Sequence, residues 1–257
     1  MDHSLAVAAW AALAACTFPV LFFVSAPYGK LVRDGWGPRV DGRLGWFAQE
    51  IVSPVVLTLA FLRGADAFTF SHPGTSPPGA FARACVAVWW AHYLHRAVYY
   101  PLVRRMSDTT LPVVAMAVCF NVVNGTLMGA ELARGGAYLA HPDPRTLAVG
   151  FAVFVTGAAI NVSSDAALLR LRKRPGDRKH YVPRGGLFEL VAAPHYFGEC
   201  VEWVGFAAAT RTSAGWAFAF WTFANLYPRA VAYRRWYVEK FGAKFPRERR
   251  AMIPFAL

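Results

Sequence analysis

The chain has 257 residues, of which 56% are hydrophobic and only 16% are charged, and its mean hydropathy is +0.32. About a quarter of the residues of a soluble domain are charged, so this composition excludes an ordinary soluble protein and favours a polytopic membrane protein. A net charge of +12 is also compatible with nucleic-acid binding, but most of the basic residues lie in loops on one side of the predicted topology, so we expect no nucleic-acid partner.

Apolar runs of about 20 residues recur along the chain, and each is long enough to cross a bilayer as a helix. Together they use more than half of the chain. We therefore predict an all-α membrane protein with seven transmembrane helices, in which residues 1–257 form a single integral membrane domain. The predicted spans are Leu5–Val24, Trp46–Leu62, Ala84–Leu102, Leu111–Leu132, Leu147–Leu171, Leu187–Ala209 and Ala214–Ala232.

The distribution of charge predicts the orientation of these spans. With seven spans, the first, third and fifth loops and the C-terminal segment share a side, and they hold 21 of the 27 Lys and Arg residues. Cytoplasmic loops are enriched in Lys and Arg, so the N-terminus is expected outside and the C-terminus in the cytoplasm. The loop from Arg170 to Arg184 is the densest basic segment between spans.

The second and third spans contain a carboxyl and a phenol in otherwise apolar surroundings. Glu50 lies near the start of span two, and Tyr93, Arg96 and Tyr100 lie on one stripe of span three, at 0°, about −60° and about −20°. Favourable interaction with a helix dipole would explain Glu50 alone. A carboxyl beside a phenol is also how an enzyme builds an acid. For Arg96, a buried ion pair with Glu50 or Asp165 remains an alternative to a role in binding.

The fifth span has a polar stripe of its own. Asn161, Asp165 and Arg172 lie at 0°, about 40° and about 20° around the helix axis. An ionisable side chain inside a bilayer costs several kcal/mol unless it faces a cavity or a partner. Hydrogen bonding between helices is the purely structural explanation for the stripe.

The sixth span repeats this pattern with His195, Glu199 and Glu202, at 0°, about 40° and about −20°. Two consecutive spans, joined by the basic loop, therefore direct polar stripes inward. Because so many polar groups converge, we predict a buried polar site that opens onto one membrane face.

Several other chemistries are excluded by missing motifs. His92 and His95 are three residues apart, but a membrane di-iron enzyme needs several such clusters and the chain has only seven histidines, so we expect no metal. The four cysteines form no CxxC pair. Neither a dinucleotide-binding GxGxxG, a P-loop nor a GxSxG motif is present.

Six motifs spread over residues 40 to 257 resemble those of the steroid 5α-reductases (3-oxo-5α-steroid 4-dehydrogenases), and they occur in the same order. They are Trp46–Glu50, His92–Arg96, Asn161 with Asp165, Pro183–Phe188, Gly198-Glu199 with Glu202-Trp203, and Ile253–Phe255. The resemblance implies a seven-helix fold, NADPH bound from the cytoplasmic side, and reduction of the C4–C5 double bond of a 3-oxo-Δ4 steroid.

The resemblance also implies roles for individual residues. Glu50 and Tyr93 would be catalytic, because they would bind and polarise the C3 carbonyl oxygen, where enolate charge develops during hydride addition. The positions that match steroid contacts are Trp46, Trp221 and Asn225. The positions that match cofactor contacts are Arg96, Tyr100, Asn161, Asp165, Arg172, His195, Glu199 and Tyr237.

The chain departs from the family pattern at three places. His195 stands where the family usually has asparagine, and His180 stands where a tyrosine is expected, with Tyr181 beside it. The stretch Gly242–Arg250 is one residue longer than in the relatives. The last two departures concern the adenosine end of the cofactor, and with it the preference for NADPH over NADH.

Two other classes of function remain as alternatives. One is a membrane methyltransferase of the isoprenylcysteine type that uses S-adenosylmethionine, although such an enzyme needs no group like Glu50 to polarise a carbonyl. The other is a non-enzymatic lipid-binding or transport protein, which a chain without internal repeats does not favour. The partners that we expect are a steroid substrate and membrane lipid, with the protein a monomer.

Overall fold

The computed structural model describes residues 2–24, 27, 29–31, 35–64, 79–104, 106–171 and 179–256, and these residues are mostly helical. The helices are α1 (His3–Val20), α2 (Gly42–Arg63), α3 (Ala80–Leu94), α4 (Tyr100–Val103), α5 (Leu111–Arg134), α6 (Gly136–Ala140), α7 (Pro144–Arg170), α8 (Pro194–Thr210) and α9 (Ser213–Phe241). Short 3₁₀ turns lie at Gly29–Leu31, Gly186–Glu189 and Gly242–Lys244.

Four helices of the described residues, α1, α2, α5 and α7, are long and apolar enough to cross a membrane. The length and composition of these four helices confirm the prediction of an integral membrane protein. The third predicted span corresponds to a helical run from Ala80 to Val103 that a π-helical turn interrupts. The sixth begins at Pro194 and not at Leu187, because the preceding residues form a 3₁₀ turn and Val191 pairs with Arg250 in a parallel bridge.

Side chains at the helix starts bind the unpaired backbone N–H groups of the first turn. Asp41 accepts from the N–H groups of Arg43 and Leu44 at 2.9 Å at the start of α2. Asp143 accepts from the Thr146 N–H at 2.8 Å at the start of α7. These caps lie at the helix boundaries, where the chain passes from loop to helix.

The only sheet among the described residues is a two-stranded antiparallel ribbon. Strand β1 (Arg39–Val40) pairs with β2 (Thr109–Thr110), with Arg39 opposite Thr110 and Val40 opposite Thr109. The ribbon holds the segments that precede α2 and α5 side by side, and Thr109 lines the cavity described below.

Helices α7 and α8 pack with their backbones in close contact. A Cβ atom added to Gly157 of α7 would collide with the Glu202 backbone nitrogen, and one added to Gly198 of α8 would lie 2.5 Å from the Asn161 nitrogen. Only glycine permits this approach, which is the usual means of packing helices tightly in membranes. Consequently the polar stripes of these two helices lie against each other.

A cluster of aromatic side chains fills the space between α3, α8 and α9. The ring centroids of Trp89 and Trp203 are 4.8 Å apart, those of Trp89 and Phe218 are 5.0 Å apart, and those of Trp203 and Phe218 are 4.7 Å apart. All three side chains are buried. Aromatic pairs in such tilted arrangements stabilise a core beyond the area that they bury.

Glu131 joins three helices at the end of the bundle opposite the ribbon. Its carboxylate accepts from the N–H groups of Ser213 and Ala214 at 2.8 and 2.7 Å, where α9 begins, and lies 3.3 Å from His3 Nε2 of α1. A carboxylate at a helix N-terminus satisfies free N–H groups and interacts favourably with the helix dipole.

Candidate active site

A cavity of about 620 Å³ lies between α2, the α3–α4 run, α5, α8 and α9. Nine of the residues predicted from the sequence line it, and they come from four separate stretches of the chain: Trp46, Glu50, Tyr93, Arg96, Tyr100, His195, Glu199, Trp221 and Asn225. The helical stripes therefore converge on one space, as the sequence predicts.

Glu50 is held by a short chain of hydrogen bonds on α2 and α5. The Gln49 side-chain amide donates to Glu50 Oε1 at 3.3 Å, and Asn121 Nδ2 donates to the Gln49 carbonyl oxygen at 2.7 Å. Gln49 and Asn121 are themselves buried and line the cavity. This arrangement fixes the carboxyl at the cavity wall and restricts its rotation.

Tyr93 lies on the facing helix α3 and is 4% exposed. Its ring stacks on Trp89, with centroids 5.5 Å apart and planes at 25°. Trp89 is fixed in turn by a hydrogen bond from its Nε1 to Ser53 Oγ of α2 at 3.2 Å. The phenol thus faces the same cavity as Glu50 from a ring that its neighbours hold in place.

Arg96 lies in a π-helical turn, His95–Tyr99, between α3 and α4. The Tyr100 N–H bonds to the His95 carbonyl oxygen, one residue further back than in an α-helix. Pro101 has no N–H to offer to the Arg96 carbonyl. That carbonyl oxygen is therefore available to Trp46, whose Nε1 donates to it at 2.9 Å. Single π turns of this kind are frequent at functional sites.

The Arg96 guanidinium pairs with two carboxylates that sequence analysis had placed on separate helices. It lies 3.3 Å from Asp165 Oδ2 of α7 and 3.3 Å from Glu199 Oε2 of α8. Its Cζ is 4.8 Å from the centroid of the Tyr100 ring and 5.4 Å from that of Trp46. The alternative of an ion pair with Asp165 is therefore realised, and Arg96 lines the cavity as well.

Asn161 and Asp165 lie behind the lining and hold residues that face the cavity. Asn161 Nδ2 donates to the His195 carbonyl oxygen at 2.9 Å and to Glu199 Oε2 at 3.2 Å. Asp165 accepts from Arg104 at 3.0 Å in addition to its pair with Arg96. The polar stripe of α7 therefore orients the stripe of α8 and the π turn.

The sequence did not identify Arg104 as a candidate site residue. It was counted only among the basic residues of the third predicted loop, which indicate the orientation of the spans. It lines the cavity, with its Cζ 4.9 Å from the centroid of the Tyr100 ring. The signal that could have identified it is its spacing of eight residues from Arg96, because both arginines then follow one side of the helical run.

The far end of the cavity is apolar and aromatic. Trp221 of α9 donates from Nε1 to the Trp10 carbonyl oxygen of α1 at 2.9 Å, and its ring lies 5.3 Å from that of Phe120. Phe218 and Asn225 line the same region. A rigid, largely hydrocarbon ligand with few polar groups would match such a surface.

Tyr237, like Asn161 and Asp165, is a predicted cofactor residue of the described part of the chain that does not line the cavity. Tyr237 is buried and stacks on Phe245, with centroids 5.2 Å apart and planes at 4°. Arg172 falls outside the described residues. His180, one of the departures from the family pattern, does line the cavity, and its ring is 4.9 Å from that of Trp236.

A clamp around Arg249 fixes the segment after α9 against the segment before α8. The buried guanidinium donates to the Pro183 carbonyl oxygen and to Glu189 Oε2, both at 2.7 Å. Glu189 also accepts from the Gly185 N–H at 2.6 Å. This backbone bond, and then the Arg249 and Arg184 charges, hold the pKa of Glu189 below its usual value, in spite of partial desolvation. Sequence analysis did not foresee this clamp.

Within the described ranges, no group of three or more His, Cys, Asp or Glu side chains could hold a metal ion. The charged side chains that line the cavity are Glu50, Arg96, Arg104, Glu199 and Lys240, with Asp165 paired to the two arginines from behind the lining. Guanidinium groups with free donors suit phosphate or other anionic ligands.

Comparison with known proteins identifies the family. The profile described as 3-oxo-5-alpha-steroid 4-dehydrogenase matches residues 107–257. The chain is 37% identical to a steroid 5-alpha-reductase of Arabidopsis thaliana over 93% of this chain and 90% of that protein. It is 37% identical to 3-oxo-5-alpha-steroid 4-dehydrogenase 1 of Rattus norvegicus, over 91% and 87% of the two chains, and 38% identical to that of Homo sapiens, over 89% and 85%. These relatives, together with the order and convergence of the motifs, show that the chain belongs to the steroid 5α-reductase family of membrane enzymes.

Proposed function

We propose that the protein reduces the C4–C5 double bond of 3-oxo-Δ4 steroids to 5α-steroids with NADPH. The observation that carries the proposal is that Glu50 and Tyr93, from different helices, share the wall of one cavity. The names of the relatives specify the same class of reaction. The proposed steroid site consists of Trp221 and Asn225 at the aromatic far end, together with Trp46, which lies against Arg96.

The polar end of the cavity fits the cofactor. Arg96 and Arg104 bring two guanidinium groups to the lining, and each donates to Asp165 from one terminal nitrogen. The second terminal nitrogen of Arg96 pairs with Glu199, so Arg104 offers the N–H groups that suit the phosphates of NADPH. We assign cofactor contacts to Arg96, Tyr100, Asn161, Asp165, Arg172, His195, Glu199 and Tyr237, with Asn161 and Asp165 acting through the residues that they orient.

Glu50 and Tyr93 act on the C3 carbonyl oxygen. Addition of hydride to an enone moves charge onto that oxygen, and donors already in place stabilise it without reorganisation. If Glu50 is ionised, it can only accept a hydrogen bond, and the single O–H of Tyr93 donates to the substrate oxygen; if Glu50 is protonated, it donates to that oxygen directly. The hydrogen bond from Gln49 keeps the carboxyl at its position in either state.

When bound, NADPH supplies the hydride that reaches C5 of the substrate. C4 then takes a proton that comes ultimately from solvent, so the product gains one hydride and one proton. The chain contributes by binding the oxygen, orienting the ring system against the aromatic wall and excluding water from the apolar end.

We further propose seven membrane-spanning helices, with the N-terminus outside and the polar end of the cavity open to the cytoplasm. The support is the concentration of basic residues in alternate loops. We also propose that residues 1–257 form one domain and that the protein acts as a monomer.

The test is a product assay with purified, detergent-solubilised protein. Testosterone or progesterone is incubated with NADPH or with S-adenosylmethionine, and the products are analysed by mass spectrometry. We expect the addition of two hydrogens with NADPH and no methylated product. Deuterium carried on the nicotinamide should appear at C5, and deuterium from heavy water at C4.

The matched control substrate is a steroid in which the C3 ketone has been reduced to an alcohol. It offers no carbonyl oxygen to Glu50 and Tyr93, so hydride addition would leave an unstabilised carbanion. Turnover of this alcohol at a rate close to that of the enone would contradict the mechanism. Methyl transfer from S-adenosylmethionine would replace the proposed function by the methyltransferase alternative.

A further inference from the structure

A second buried pair of titratable side chains lies beside the catalytic wall, and the mechanism above uses neither. His92 Nδ1 of α3 lies 2.7 Å from Glu202 Oε1 of α8, and the two side chains are only 7% and 3% exposed. In the tautomer that carries its proton on Nδ1, His92 donates to the carboxylate. Burial of such a pair costs free energy that only good geometry offsets, so its placement needs an explanation.

The pair is adjacent to groups that the mechanism does use. His92 directly precedes Tyr93, and the two rings are 5.0 Å apart in an edge-to-face arrangement. Glu202 lies one helical turn after Glu199, which lines the cavity at its polar end. The His92 ring also packs edge-to-face on Trp203, at 4.6 Å. The pair thus links the turn that carries the phenol to the helix that faces the cofactor.

A second link joins the same two stretches of chain. Arg96, four residues after His92, pairs with Glu199, three residues before Glu202, at 3.3 Å. The two links therefore lie on either side of Tyr93, as rungs between antiparallel runs. Helix α8 is fixed to α7 by close backbone contact, whereas α3 is not in close backbone packing with α8. The distance from Tyr93 to the polar end of the cavity consequently depends on side-chain links.

We propose that His92 and Glu202 are a positioning pair that holds the Tyr93 hydroxyl at the correct distance from the cofactor end of the cavity. The inference rests on the proposed function, in which Tyr93 binds the C3 oxygen while hydride reaches C5. Because the C3 oxygen and C5 belong to one rigid steroid, Tyr93 must bind the oxygen while C5 lies at the cofactor end of the cavity. A misplacement of about 1 Å can cost about 100-fold in rate, so a link outside the cavity can control turnover without touching the substrate.

The principal test is the double variant His92→Phe/Glu202→Leu. It removes both partners, keeps a ring against Trp203 and leaves no buried charge unpaired, so the protein is expected to fold. We expect kcat to fall roughly 10- to 100-fold, while the Kd for NADPH, measured by fluorescence titration, and the thermal midpoint stay close to the wild-type values. A kcat equal to that of the wild type would overturn the proposal, as would a raised Kd for NADPH with unchanged kcat.

A conservative variant provides a second test of the positioning pair, which applies even if the double variant fails to fold. In His92→Asn the amide nitrogen occupies a position near that of Nδ1 and can still donate to Glu202, whereas His92→Phe cannot. We expect Asn to restore most of the kcat that Phe loses. Equal loss of kcat in the two variants would overturn the role of the hydrogen bond.

The matched control is His141→Asn, the same substitution at an exposed residue in the loop before α7. His141 does not line the cavity, so kcat is expected to stay unaltered. The activity of the wild-type protein in the same assay distinguishes a failure of the proposed function from a failure of the positioning pair. If it reduces no enone, the proposed function fails and this inference with it; if it does, and the double variant matches it, only the positioning pair fails.

Discussion

Two walls of the cavity are built by different means. The wall formed by α8 is fixed to α7 behind it by direct backbone contact at glycines such as Gly157 and Gly198, and it presents His195 and Glu199, two of the residues that we propose bind the cofactor. The wall formed by α2 and α3 is held by side-chain contacts around Glu50 and Tyr93. In the proposed mechanism the first wall contributes to cofactor binding, and the second acts on the substrate oxygen. Variants of each wall should therefore change different measured quantities.

The largest effect is expected at the catalytic wall. Glu50→Gln and Tyr93→Phe each remove a group that acts on developing charge, and loss of one such donor typically lowers the rate by about 10²–10³. We expect that decrease in kcat while NADPH still binds, and a double variant little worse than the poorer single, because the two residues act as a unit. Steady-state kinetics with a fluorescence measurement of NADPH binding checks this.

The outcome that would contradict this assignment is near-normal turnover in Tyr93→Phe, in protein that is folded and binds cofactor. That result would remove the phenol from the mechanism. It would also remove the distinction between the two walls, because the wall of α2 and α3 would then contribute only to the shape of the cavity.

The next effect concerns the backbone contact of the binding wall. Gly157→Ala introduces a Cβ that meets the Glu202 backbone, where no flexible side chain can move aside. We expect the free energy of unfolding to fall by about 3 kcal/mol, the upper part of the range for overpacked cores. Thermal unfolding in detergent measures the change.

Gly79→Ser is the control for this substitution. Gly79 is the N-cap residue of α3, its added Cβ would make only ordinary contacts from 3.4 Å, and serine is favoured at N-caps. Equal stability of the Gly157 and Gly79 variants would show that the α7–α8 contact can relax, and the contrast between the walls would lose its basis.

A smaller effect is expected at the charge that joins the two walls. Asp165→Asn keeps the size of the side chain but removes the anion that Arg96 and Arg104 share. We expect the KM for NADPH to rise about tenfold, the change that corresponds to about 1.4 kcal/mol, while the KM for steroid changes little. Initial-rate measurements over a range of NADPH concentrations test this.

Asp143→Asn provides the comparison on the same helix. Asp143 caps the start of α7 far from the cavity, and asparagine is an equally good cap, so both KM values should stay at the wild-type level. A steroid KM that rises as much as the NADPH KM in Asp165→Asn would mean that the two ends of the cavity are not separable.

The smallest effect is a pH dependence of the thermal stability at the Arg249 clamp, which lies outside both walls. The hydrogen bond from the Gly185 N–H, and then the Arg249 guanidinium, hold the folded-state pKa of Glu189 below its ordinary value of 4.5. A carboxylate with a lowered pKa stabilises the fold above its unfolded pKa, and that contribution disappears as the pH falls below 4.5 through the folded pKa. We expect Glu189→Gln to lower the thermal midpoint at neutral pH, with the difference vanishing in acid. A difference that persists unchanged in acid would exclude ionisation as its cause.

The sequence predicted the binding wall well, because a polar residue in a long apolar run has few structural options. Asn161, Asp165, His195 and Glu199 follow helical periodicity, and the structure joins them by hydrogen bonds and ion pairs. The convergence of Glu50 and Tyr93 on one cavity was also predicted, although by resemblance to a family more than by periodicity.

Other features depend on contacts that periodicity does not contain. The partner of Glu202 proved to be His92, which belongs to none of the predicted polar stripes. The π turn at His95–Tyr99 also changes the angular spacing between Tyr93 and Tyr100, on which the stripe of span three depended. The Arg249 clamp joins residues 60 positions apart, and no local pattern indicates such a partnership.

The π turn has one more consequence, which concerns tolerance to insertions and deletions. A π turn accommodates one residue more than the α-helix around it, so deletion of a single residue there, such as Ala97, would produce an uninterrupted helix of ordinary pitch. The wide turn spreads its extra residue over nearly the same rotation as an α-helical turn, so the helix on either side would keep about the same orientation. The Tyr100 N–H would still bond to the His95 carbonyl oxygen, and Tyr93 and Tyr100 would still face the same space. We therefore expect a one-residue deletion in this turn to displace mainly Arg96 and its ion pairs with Asp165 and Glu199.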